Sequence, residues 1–196
     1  MVSNRVRKVV VAGIFSALVM VLGISQLGFI PLPMGAITIL QVPVIICAIL
    51  EGPLAGCFTG LLFGIFSIVQ AGIASSTPVD LAFLNYPFIA IVPRMLIGPG
   101  AYLVYASIAG SKTSPIRETT AVLLGAVAGS LINTVLVLSA LALLVPEITW
   151  QLAATVAAFN GTVEAGFSAA ISLAVVLAWK HIPRGGSRSR LSKTGD

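Results

Sequence analysis

Six long apolar runs, separated only by short stretches marked with proline, glycine and serine, confine this chain to a membrane. A hydrocarbon core about 30 Å thick is crossed by about 20 apolar residues in a helix, and in lipid a helix satisfies its own backbone hydrogen bonds. The runs predict helices over about residues 7–28, 37–50, 53–71, 87–109, 118–145 and 152–181. Breaks fall at Pro31 and Pro33, at Glu51-Gly52-Pro53, at Ser75-Ser76-Thr77-Pro78, between Ser111 and Pro115, and at Pro146-Glu147. Hydrophobic residues make up 58% and charged residues 9%, against roughly half and a quarter in soluble domains, so a water-soluble fold could not cover its surface. The expected fold class is an all-α integral membrane protein of six transmembrane helices. Those helices fill one domain, residues 1–182, and leave 183–196 as a basic, disordered cytoplasmic tail.

A net charge of +5 suggests nucleic acid until the positions are read. Arg5, Arg7 and Lys8 precede the first run, Lys112 and Arg117 flank the fourth break, and Lys180, Arg184, Arg188, Arg190 and Lys193 follow the last run, leaving Arg94 as the exception. Cytoplasmic flanks of membrane helices collect such residues, which predicts both termini inside and an even number of spans. Threaded that way, the first, third and fifth breaks lie outside and carry no Lys or Arg. The run from Val9 to Ile30 is too long for a signal-peptide core and is read as a span. Cys47 and Cys57 fall in predicted spans near the inner face, where a disulfide has no oxidising surroundings, so both are expected as free thiols.

The second helix, at about 14 residues and roughly 21 Å of rise, is short for a span. Thr38, Gln41 and Pro43 lie at its start, and a membrane proline frees a carbonyl that needs a partner or a cavity. Small residues recur every four positions: Gly56, Gly60 and Gly64; Ala121, Gly125 and Gly129; and, on the first helix, Ala12 with Ser16 or Gly13 with Ala17. Such faces let helix backbones approach closely. Internal packing is the expectation for the third and fifth helices, and a face for another protein is an equal reading for the first.

Arg94 and Glu164 are the charges inside predicted spans, and such groups are costly enough to be candidate functional residues. Counting 1.5 Å per residue from the inner helix ends puts Arg94 about 22 Å and Glu164 about 24 Å up, one level in the outer third of the bilayer. Asn160 stands one turn above Glu164 on the same face. Arg94 and Glu164 either pair with each other, or Arg94 caps loop carbonyls, or both edge an outward-facing pocket with Gln41, Asn85, Tyr86 and Asn160. Asn133, mid-span on a small-residue stripe, reads first as interhelical hydrogen bonding. Trp150 and Trp179 read as interfacial anchors. With His181 as the single histidine, no multi-histidine metal site is expected. The chain lacks a phosphate-binding GxxxxGK[ST] loop, and no Ser/His/Asp set suits catalysis within the membrane.

The segments Gly28-Phe29-Ile30-Pro31-Leu32-Pro33, Thr38-Ile39-Leu40-Gln41-Val42-Pro43-Val44-Ile45-Ile46, Glu51-Gly52-Pro53-Leu54-Ala55-Gly56 and Val92-Pro93-Arg94-Met95-Leu96-Ile97-Gly98 together resemble the substrate-binding S component of energy-coupling-factor (ECF) transporters, over about residues 8–180. The resemblance implies a six-helix, N-in and C-in protein in a prokaryotic cell membrane. It would capture a vitamin or related micronutrient from outside and tip in the membrane to release it inward. It further implies a membrane coupling subunit and two cytoplasmic ATPase subunits as partners, with ATP used by those partners and no cofactor in this chain. The family's first helix usually offers an Ala-xxx-Ala face to the coupling subunit; here Ala12/Ser16 or Gly13/Ala17 stand in for it. Relatives often carry His where Gln41 stands, and Gln cannot hold a charge. One Arg at pocket depth suits a carboxylate ligand such as pantothenate, with cobalamin and riboflavin still open.

Three other classes compete. A self-sufficient secondary transporter would need an ion relay, and one Arg with one Glu makes a thin one. A membrane-embedded enzyme would need a nucleophile and base. A structural membrane subunit would bind no small molecule.

Overall fold

The computed structural model describes residues 4–25, 27–32, 35–73, 78–110 and 114–181. The basic stretch 183–196, Pro33, Lys112 and the break at 75–77 lie outside the described residues. Helix α1 (Asn4–Ile24) leads into strands β1 (Phe29–Leu32) and β2 (Gly35–Thr38), followed by α2 (Gln41–Glu51), α3 (Pro53–Ile73), α4 (Pro78–Asn85), α5 (Pro87–Ala109), α6 (Pro115–Leu144) and α7 (Trp150–His181). Prolines open α3, α5 and α6, where a missing N–H costs nothing and the fixed φ suits the first turn. Ser114 caps α6, its side chain accepting from the Arg117 N–H at 3.3 Å. Between α2 and α3 the chain turns at Gly52, whose φ of +103° is one that L side chains rarely adopt.

Two features depart from the all-α, six-span expectation. First, the proline-marked first loop is an antiparallel hairpin, with Phe29 opposite Thr38 and Leu32 opposite Gly35. Pairing satisfies backbone groups that an open loop beside the helices would leave bare. Its base is closed by Gly28 N–H donating to Leu22 O and Ile39 N–H donating to Gly28 O, both 2.9 Å. Second, among the described residues five helices, α1, α3, α5, α6 and α7, are long and apolar enough to cross a membrane, while α2 has 11 residues. At 1.5 Å per residue α2 rises only about 17 Å. It survives at that length because protein surrounds it: Val42 to Ile49 and Glu51 are all buried. Helix α4, unforeseen in the sequence, fills the approach to α5.

The core follows from close backbone contact. A methyl group added at Gly56, Gly60 or Gly64 would collide with the α5 backbone at Gly98, Arg94 and Ala90. Likewise Gly125 lies against Ala101 and Tyr105 of α5, and Gly129 against Ala101 and Ile45. Both glycine stripes are internal seams, as expected. Around α2, buried Val11, Phe15 and Val19 of α1, Phe63 of α3, Ile97 of α5, Val122 and Ala126 of α6 and Val176 of α7 form one apolar cluster. The outer surface is apolar too: Leu54, Ile73, Ile116 and Leu143 are at least 70% exposed. Patches of that kind in water would aggregate, and lipid is the solvent they fit. Trp150 and Trp179 are exposed close to the two ends of α7, and Cys47 and Cys57 are both free.

Candidate functional site

Within this apolar bundle, polar side chains gather where α2, α6 and α7 meet. On α7 the buried polar residues Asn160, Glu164, Ser168 and Ser172 recur every four positions and share one face. On α6, Ser130, Asn133 and Thr134 are buried. At the start of α2, Gln41 is fully buried. Its Nε2 donates to Ser130 Oγ at 2.7 Å and Ser168 Oγ at 3.2 Å, and its Oε1 accepts from Asn133 Nδ2 at 2.9 Å. Gln41 thereby links three helices while both its N–H donors are used.

Glu164 belongs to the same cluster. Its Oε1 accepts from the Thr38 backbone N–H at 2.9 Å, tying β2 to α7, and its Oε2 accepts from Thr134 Oγ1 at 3.3 Å. Gly161, one turn earlier, lets the α7 backbone sit against Thr134. The matched-depth ion pair between Arg94 and Glu164 does not form: no N···O distance between them reaches 4.0 Å.

Arg94 instead caps a carbonyl, and the reason is local. Pro93 has no N–H with which to reach Ile89 O, its helical acceptor four residues back. Arg94 Nη1 donates to that oxygen at 3.1 Å. The guanidinium also lies over the rings of Phe83, 4.7 Å from the centroid, and Phe63, 5.3 Å away, contacts that attract a desolvated cation. A proline one residue before an arginine was legible as a motif, but the rotamer that joins them was not.

The remaining sequence candidates are split. Asn160 is buried on the Glu164 face, whereas Asn85 and Tyr86 lie at the α4–α5 junction with exposed side chains, Tyr86 edge-on to Phe88 at 6.1 Å. On α1, Ala12 and Ser16 face inward, with Ser16 Oγ donating to Ala12 O at 2.7 Å. Gly13 and Ala17 face outward, and nothing lies within 4 Å of a Cβ added at Gly13. Sequence reasoning passed over Ser130, Thr134, Ser168 and Ser172, although the four-residue polar spacing on α7 was visible. It also passed over the ion pair of Arg7 with Glu51 at 2.6 Å.

Among the described residues, four buried polar atoms have no hydrogen-bond partner: Arg94 Nε, Asn133 Oδ1, Asn160 Oδ1 and Ser172 Oγ. Native structures seldom leave such groups unpaired, so an unpaired set calls for a reason. A shallow groove along Ala154, Thr155, Ala158 and Phe159 lies on the exposed face of α7, away from these atoms, and is apolar surface suited to lipid.

The chain is 34% identical over 142 residues to a protein of Leuconostoc mesenteroides named pantothenate transporter PanT, covering 69% of this chain and 68% of that one. It is 32% identical over 156 residues to the pantothenic acid transporter PanT of Lactococcus lactis, covering 71% and 75%. The family model described as ECF transporter, substrate-specific component, matches residues 7–178. With nearly all of its five-span helical bundle inside that match, this multi-pass membrane chain belongs to the substrate-specific component family of ECF transporters.

Proposed function

We propose that the chain captures pantothenate on the outer side of a prokaryotic plasma membrane and hands it inward with a separate energising module. The observation that carries this reading is the buried polar cluster with unpaired hydrogen-bonding atoms inside a lipid-clad bundle. Two relatives named for pantothenate supply the ligand. Pantothenate carries a carboxylate, an amide and two hydroxyls, and a desolvated guanidinium such as that of Arg94 suits the carboxylate. The proposed binding residues are Asn160 and Glu164 in the cluster, Arg94 on α5, and Asn85 and Tyr86 at the α4–α5 junction, while Gln41, whose amide is bonded to Ser130, Ser168 and Asn133, holds the cluster in place without touching the ligand.

Both termini are assigned to the cytoplasm on the positions of the Lys and Arg residues, and α2 is counted as the sixth, incomplete span. The partners are a membrane coupling subunit and two ATPase subunits, which use the ATP; the chain needs no cofactor of its own. The outward Gly13/Ala17 pair of α1 is the face offered to the coupling subunit, because Ala12 and Ser16 are already buried.

Thermal unfolding of the purified protein with pantothenate, riboflavin or cobalamin tests the reading. Ligand at 1,000 times its dissociation constant stabilises by about 4 kcal/mol, so pantothenate alone should raise the melting temperature by several degrees. A shift with another vitamin, or none with pantothenate, refutes the substrate assignment. Uptake by cells lacking every ATPase partner refutes the need for a motor.

A further inference from the structure

Asn133 Oδ1 and Asn160 Oδ1 are both hydrogen-bond acceptors, and both have given up water without gaining a donor. They flank one contact: Asn133 precedes Thr134 on α6, Asn160 precedes Gly161 on α7, and Thr134 packs on Gly161. Two carbonyl oxygens left bare in an apolar bundle define what is missing, which is a group that donates.

The direction in which the Asn133 oxygen points is set by its neighbours. Its amide nitrogen is spent on Gln41 Oε1. Gln41 presents that oxygen because its own nitrogen is turned to Ser130 and to Ser168 on α7. Glu164, one turn from Ser168 on the same α7 face, favours the amide nitrogen over the amide oxygen on that side. Flipping Gln41 would turn its carbonyl toward the carboxylate. A polarity thus runs from Glu164 through Gln41 to Asn133.

Resting on the pantothenate reading, we propose that Gln41 is a positioning residue that holds Asn133 Oδ1 as an acceptor for a hydroxyl or N–H donor of the ligand. The site then selects ligands by what they donate as well as by their carboxylate. A ligand of the same shape without the donor leaves the buried acceptor unpaired, a loss of about tenfold to a hundredfold in affinity.

The test is equilibrium binding of three compounds to the full chain: pantothenate, its analogue with both hydroxyls replaced by hydrogen, and its N-methyl amide analogue. In the wild-type protein one of the two analogues should bind at least about tenfold more weakly, and which one names the donor. That ratio should shrink to within about threefold in Asn133→Ala and fall partway in Gln41→Leu, which touches no ligand. A merely structural defect weakens all three compounds alike and leaves the ratio unchanged, and an unchanged ratio overturns the proposal. Equal binding of all three compounds to the wild type overturns it without any variant, while the pantothenate reading stands. No binding of pantothenate by folded wild-type protein overturns both.

Discussion

Arg7 and Glu51 join the N-terminal end of α1 to the last residue of α2, and the asymmetry of their burial predicts how each substitution behaves. Glu51 has a side chain only 3% exposed, while that of Arg7 is 41% exposed. Arg7 Nε and Nη2 both donate to Glu51 Oε1, at 3.0 and 2.6 Å. Fully exposed pairs contribute about 0.2–1 kcal/mol, and breaking a fully buried one costs about 3–5 kcal/mol because a charge is left alone. With one partner buried and one half in solvent, Arg7→Met should cost about 1–3 kcal/mol. For a chain of this size that is a fall of about 2–12 °C in melting temperature. Glu51→Gln should cost less, since the amide oxygen still accepts from Arg7 and no charge is stranded. The double variant should therefore be less destabilised than the two single losses added, by about 0.5 kcal/mol or more. Melting followed by the fluorescence of Trp150 and Trp179 in detergent measures all four proteins. Additive losses, or an Arg7→Met shift no larger than that of Glu51→Gln, would refute the stranded-charge reasoning.

Two glycines should separate packing from coupling. Gly60→Ala forces a methyl group into the Arg94 carbonyl and should lower stability by about 1–3 kcal/mol, measured as a lower melting temperature. Gly13→Ala meets no atom and should leave melting unchanged or raise it, by up to about 1 kcal/mol of helix propensity. If the outward face of α1 is the coupling face, Gly13→Leu should reduce uptake while pantothenate binding holds; undiminished uptake would remove that assignment. Glu164→Ala strands the Thr38 N–H, at a cost of about 1–3 kcal/mol, and amide exchange at Thr38 should quicken while exchange in α3 stays slow. Unchanged protection at Thr38 would mean that this bond does not hold the hairpin.

The membrane class, the helix starts at Pro53 and Pro87, and the two glycine seams were legible in the chain because each is local, whereas Pro115 was read as part of a break and proved to open α6. Apolar length sets a span, proline sets a first turn, and a four-residue repeat sets a face. So was the buried face shared by Asn160 and Glu164. Tertiary structure decided which partner each polar group met. Arg94 turned to the carbonyl freed by Pro93 instead of to Glu164, Glu164 took the hairpin N–H, and Gln41 was saturated by Ser130, Ser168 and Asn133. It also decided that Ala12 and Ser16 face inward and Gly13 and Ala17 outward, and that α2 could stay short. The physical reason is that lipid is as apolar as a protein core. Composition therefore tells that a helix lies in the membrane but not how it is rotated, and only packing distinguishes the face that meets protein from the face that meets lipid.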